Sequence, residues 1–188
     1  MSANQKLFDA AIHLVEAMDR VADKTLPKEI NEIVKEHAKL AIGSSLIPIP
    51  GVDIAASATS IWSMYIRINK KIQIPFSKNA TKSIASGIFT NLLSYFAVMG
   101  VGSLLKFIPE IGTIGGIAIM GLTSYAMTLT SGYIYLKALT MLYEKGKSNI
   151  DAKDLKSAID LILENKSEIK DFIQAAKDSY KSESKKLH

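Results

Sequence analysis

"SIASGIFTNLLSYFAVMGVGSLL" (residues 83–105) and "IGTIGGIAIMGLTSYAMTLTSGYIYL" (residues 111–136) carry no charged side chain, and only "KFIPE" (residues 106–110) separates them. As helices at about 1.5 Å per residue they reach roughly 35 and 39 Å, against about 30 Å for a bilayer's hydrocarbon core. The pair reads as a central apolar helical hairpin. Arg67, Lys70, Lys71, Lys78 and Lys82 precede it and Lys137, Lys145 and Lys147 follow it, whereas Lys106 and Glu110 cancel in the connection. The positive-inside rule then predicts a membrane hairpin with both termini in the cytoplasm. The second run contains Gly112, Gly115, Gly116, Gly121 and Gly132. Each glycine inside a helix costs about 1 kcal/mol relative to alanine. Close helix packing is expected to compensate, as at the small-residue interfaces of membrane helices or in a dense bundle.

Upstream, "VDIAASATSIWSMYIRI" (residues 52–68) predicts a third helix of the chain. Its uncharged stretch is too short to span a bilayer alone. It runs into Trp62, Arg67, Lys70 and Lys71, an aromatic and a basic cluster of the kind favoured at a membrane–water interface. The alternative is an ordinary helix end with a buried tryptophan. Before it, "IGSSLIPIPGVD" (residues 42–53) holds Pro48, Pro50 and Asp53 and aligns without gaps with "VGSLLKFIPEIG" (residues 101–112). Both read as proline-built corners between apolar helices. Asp53 reads as a helix-start acid stabilised by free N–H groups and the helix dipole. The sharper alternative is a functional acid in the membrane or in a pocket.

The flanks are polar and periodic. Residues 3–23 place Leu7, Ala11, Leu14, Met18 and Val21 on one stripe, after a Ser2–Gln5 capping pattern. Pro27 suits the first turn of a second helix, with Ile30, Ile33, Val34, His37, Ala38 and Ala41 inward. Beyond residue 148, where Ser148 and Asp151 suggest a capping box, Leu155, Ala158, Ile159 and Ile162 form one stripe. Ile169, Phe172, Ile173, Ala176 and Tyr180 form another, and Asn165 breaks the pattern between them. Two such helices need a partner surface, most simply the pair at the N-terminus. The expectation is one all-α domain over residues 1–188: amphipathic helices at 1–45, an apolar core at 46–137 and amphipathic helices at 138–188.

Composition narrows the function classes. The 188 residues are 48% hydrophobic, with net charge +5 and no cysteine, which removes disulfides and thiolate chemistry. The terminal charges alternate in sign as on solvated helices, so a nucleic-acid partner is not expected. The first 30 residues show no apolar signal segment. Gly146-Lys147-Ser148 lacks the upstream glycine of a phosphate-binding loop, with Met141 in its place. His13 with Glu16 could form half a metal site, but reads as a solvent-edge pair; His37 reads as a satisfied core residue. No enzyme, cofactor or metal is expected.

With these residues in view, the chain resembles the bacterial GTPase-associated helical family called domain of unknown function 697. The resemblance covers roughly residues 30–145 and rests on "SSLIPIPGVD" and on the glycine-rich "IPEIGTIGGIAIMGLTSYAMTLTSGYIYLKAL". Pro48, Pro50 and Asp53 match the family's turn; Gly112, Gly115 and Gly116 match its helix. It implies a membrane-associated, non-enzymatic module of the bacterial inner membrane, serving a GTPase in trans or a membrane-remodelling system. Two other functions fit the same residues. One is a soluble bundle that binds lipid or another hydrophobic ligand. The other is a pore-forming effector that oligomerises through its small-residue faces.

Overall fold

The structure, a computed structural model, describes residues 3–45, 52–99, 115–147 and 149–184. Those residues form an all-α fold, with no strand among them: α1 (Ala3–Thr25), α2 (Lys28–Ser45), α3 (Val52–Lys71), α4 (Lys78–Met99), α5 (Gly115–Glu144), α6 (Ala152–Glu164) and α7 (Ser167–Ser184). The proline corners, with Pro48, Pro50 and Gly112, lie outside the described residues, as do Ser2 and Ser148.

Helix α5 organises the rest. Without charge from its start to Leu136, it has no polar face to turn to solvent, and a helix apolar all round is a buried helix. Every residue from Tyr125 to Gly132 is buried. Helices α1, α2, α3, α4, α6 and α7 all pack against it. Helix α2 runs antiparallel to α5, with Ile42 beside Gly121 and Val34 beside Gly132. Helix α3 runs parallel to it, since Ser57 bonds Ser124 and Tyr65 bonds Ser131. The starts of α3 and α5 and the ends of α2 and α4 therefore share one end of the bundle. The opposite end gathers the α1–α2, α3–α4 and α5–α6 connections.

The described residues depart from the expectations at several points. Among the described residues no helix is long and apolar enough to cross a membrane. The two uncharged runs, 83–105 and 111–136, extend into residues 100–114, which lie outside the described residues; in the described part of the second run, serine, threonine, tyrosine and glycine dilute the apolar side chains. The expected hairpin partner, α4, meets α5 over a smaller surface than α2 does, and packs more on α3 and α6. Helix α4 also begins earlier than expected, where Ser77 Oγ accepts the Ala80 N–H at 3.1 Å. Finally, Asp151 is itself the N-cap of α6, accepting the Asp154 N–H at 2.7 Å, not the third residue after the cap. A Ser148-led capping box would have started that helix three residues too early.

At the loop end two helices close in the same way. Ile74 N–H reaches back to Asn69 O with Gln73 at φ 60°, and Lys147 N–H reaches back to Leu142 O with Gly146 at φ 77°. Both are Schellman caps, in which the residue after the last turn is left-handed. Gly146 takes that conformation freely; Gln73 does so against the steric preference of its Cβ.

Candidate functional site

The buried face between α3 and α5 is polar to an unusual degree for a core. Tyr65 and Tyr135 stack with ring centroids 4.0 Å apart. The Tyr65 hydroxyl lies 2.5 Å from Ser131 Oγ, and that of Tyr135 donates to Asn69 Oδ1 at 2.5 Å. Asn69 in turn donates to Thr81 Oγ1 on α4 at 3.4 Å. Burial pushes both phenols above the usual tyrosine range, so they stay neutral hydrogen-bonding groups. The ladder joins α3, α4 and α5 by satisfied bonds, which is what buried polar groups require. Its chemistry is structural.

The arrangement closest to a catalytic constellation surrounds His37, which is 5% exposed. Ser63 Oγ and Ser60 Oγ lie 3.3 and 3.5 Å from its Nδ1. Its Nε2 faces the Arg67 guanidinium at 3.3 Å, and Arg67 also pairs with Glu36 at 2.8 Å. A guanidinium only donates, so Nε2 must be the accepting nitrogen and Nδ1 must carry the proton. Both hydroxyls already donate to backbone oxygens, Ser60 to His37 and Ser63 to Ser60. The histidine thus donates to the serines and cannot take their protons. Burial, then the adjacent Arg67, holds its pKa below the usual histidine range. The cluster ties α2 to α3. His13 and Glu16 form an exposed pair at 3.5 Å, and no cluster of three metal-ligating side chains occurs among the described residues.

The residues singled out for a membrane interface separate. Trp62 is partly buried against the core, with Lys82 Nζ 5.9 Å from its ring centroid. Arg67 is held by Glu36 and His37, and Lys71 pairs with Glu29 at 2.6 Å. Lys70 is exposed and joins none of the described ion pairs. Gly121 faces α2: a Cβ there would lie 3.3 Å from Ile42 Cγ2. Asp53 falls in the first turn of α3, and Gly115 and Gly116 open α5.

What the structure does assemble is a half-open groove of about 480 Å³ at the loop end, between Pro27 and Ile30, the 72–75 connection, and the last turns of α5. Ile72, Ile74, Pro75, Leu136, Leu139 and Ile150 make it apolar. Tyr143, 74% exposed, and Ile72, 36% exposed, stand at its rim. Lys147 lines it as well, paired to Asp154 at 2.5 Å. Lys70, Lys78 and Lys145 occupy the same end, and none of them joins a described ion pair. Sequence reasoning recorded these lysines as charges flanking a hairpin and passed over the groove. The signal was "IQIPF" (residues 72–76), a connection between two helices with three large apolar residues and a proline.

No family model matches the chain, and no solved structure matches it. Over 115 residues, 61% of this chain, it is 28% identical to magnetosome membrane protein 22 of Magnetospirillum gryphiswaldense. The chain spans little more than half of that relative's length, 57%. The likeness is to a protein of a bacterial membrane.

Proposed function

We propose that this chain is a non-enzymatic, membrane-associated helical module of a bacterial inner membrane, and that it meets the bilayer with its loop end. The observation that carries this is the juxtaposition there of an exposed tyrosine and isoleucine, Tyr143 and Ile72, with Lys70, Lys78 and Lys145, which join no ion pair among the described residues. An amphipathic aromatic beside lysines suits the headgroup region. Each lysine close to an anionic leaflet contributes about 1 kcal/mol. Similarity to a magnetosome membrane protein supports the same setting. Helices α1, α2, α6 and α7 then form a polar jacket around α5, and the apolar runs serve the bundle's core.

Flotation with vesicles tests the reading. The protein should rise with vesicles containing phosphatidylglycerol, more weakly with neutral ones, and less as salt increases. A protein left at the bottom of the gradient with both kinds of vesicle would sink the proposal. From the family resemblance we carry forward that the docked module serves a small GTPase in trans. Failure of vesicle-bound protein to bind the GDP or the GTP form of a GTPase encoded beside it removes that part alone.

A further inference from the structure

We infer that the loop-end groove is an acyl-chain site, holding one chain of an anionic amphiphile with its headgroup on Lys147. This rests on the membrane-facing reading above and adds a ligand to it. The volume, about 480 Å³, lies within the range of small-molecule sites, about 300–1,000 Å³. Its walls are aliphatic: Ile30, Ile74, Leu136, Leu139 and Ile150 offer no hydrogen bond, so they select a chain and reject a polar ligand. The polar lining comes from Lys147, Asn149, Thr140 and Gln73. An ammonium has three donors, and Asp154 engages Lys147 through one oxygen. The remaining donors can meet a carboxylate or phosphate.

The charge around the groove fits an anionic head. Lys71, which also pairs with Glu29, precedes Ile72 of the lining, and Lys145, outside the described ion pairs, lies two residues before Lys147. The groove's frame is also fixed. The two Schellman caps hold the 72–75 connection and the 145–147 turn, so the site is largely formed before a ligand arrives. Gln73 keeps its left-handed conformation in that frame. Because the groove lies at the same end as Tyr143 and the lysines outside the described ion pairs, a chain leaving the leaflet would enter it directly. Two sources share this chemistry, a free fatty acid and a membrane phospholipid.

Titration with saturated fatty acids from octanoate to palmitate, below their micelle concentrations, tests the inference by calorimetry. Each methylene that enters the groove should strengthen binding about fourfold, until the groove is full and the affinity levels off. Thr140 is exposed on α5 and lines the groove, its hydroxyl only donating to Leu136 O. Thr140→Trp should fill the site and abolish binding while leaving the urea unfolding midpoint near that of the parent. Lys147→Gln should weaken every chain by about fivefold and leave the increment per methylene unchanged.

Native mass spectrometry of protein recovered from phosphatidylglycerol vesicles supplies the phospholipid arm, with one lipid retained by the parent and none by Thr140→Trp. Absence of saturable binding in both arms overturns the inference. So does affinity that rises with chain length without levelling, or binding that survives Thr140→Trp. Flotation of Thr140→Trp separates the two ideas. If the parent and this variant both float yet neither holds a chain, the docking surface stands and the groove is not a lipid site.

Discussion

Replacing Gly132 by alanine should destabilise the protein, although the same change in an exposed helix stabilises it. A Cβ on residue 132 would sit 2.8 Å from both Val34 methyl carbons and 3.4 Å from Val34 Cβ. Carbon atoms in contact prefer about 3.5–4.0 Å, so α2 must retreat or Val34, itself fully buried, must leave its rotamer. Overpacking of this kind costs about 1–3 kcal/mol, while the gain in helix propensity returns about 1 kcal/mol. The expected net loss is about 1 kcal/mol, read as a fall of about 0.5 M in the urea midpoint for an m-value near 2 kcal/mol/M. Val34→Ala alone removes two buried methyl groups and should cost about 2 kcal/mol once the void is included. In the double variant the new methyl of residue 132 occupies the vacated space. Its cost should fall short of the summed single costs by about 1 kcal/mol or more. Gly121→Ala is the milder case: its Cβ would meet Ile42 Cγ2 at 3.3 Å and Ile42 O at 4.0 Å, so a shift of a few tenths of an ångström relieves it and the change should be near neutral. A stabilised Gly132→Ala, or a double variant additive within about 0.5 kcal/mol, would show that α2 and α5 do not cross there.

Four further outcomes follow from the same contacts. His37 is held neutral, so the unfolded chain binds its proton first as pH falls. Stability should be complete above about pH 6.5, the ordinary histidine value, and should decline below it as the folded pKa is passed. Urea midpoints from pH 7.5 to 5 check this, and the slope attributable to His37 should vanish in His37→Gln. Tyr135→Phe strands Asn69 Oδ1 in the core and should cost about 1–3 kcal/mol, whereas Tyr143→Phe should leave the unfolding midpoint unchanged. Asp151→Ala removes the α6 cap and should cost about 1 kcal/mol by thermal or chemical melting. Charge reversal at Lys70, Lys78 and Lys145 should release the protein from anionic vesicles at physiological salt without changing its circular dichroism.

Much of the fold was legible because periodicity reports burial. The stripes on α6 and α7 are buried where the spacing placed them from Leu155 to Ile162 and from Ile169 to Ala176, and Asn165 caps α6 where the pattern breaks. His37 is a satisfied core residue for the same reason: it shares a stripe with Val34, Ala38 and Ala41. What was not legible is which neighbour a helix chooses. Adjacency in sequence favoured α4 as the partner of α5, but α2 has the valine that fits against Gly132 and the isoleucine that fits against Gly121. Those two glycines are eleven residues apart, about three turns of helix, and so share one face. Partner choice here is a matter of shape between distant segments, which no local pattern records. The groove was hidden similarly. Its walls come from three connections that only the packed bundle brings together.

The uncharged run that suggested a membrane span carries a different physical message when its polar atoms are counted. A lipid-facing helix gains nothing from Ser124, Thr128, Ser131 and Tyr135, but a helix wrapped by others can satisfy their hydroxyls across the interface. Here Ser57, Tyr65 and Asn69 do so from α3 for Ser124, Ser131 and Tyr135, while Thr128 donates to Ser124 O within α5. Such pairing fixes the rotation of α5 against α3, because sliding either helix by one turn would leave the tyrosine and asparagine groups buried and unpaired, at about 1–3 kcal/mol each. Glycines do the complementary work on the opposite side by admitting α2. The same residues that let a charge-free helix resemble a transmembrane segment thus specify its neighbours within a protein core. The proposed membrane contact accordingly falls at the connections, where Ile72 and Tyr143 are exposed beside lysines.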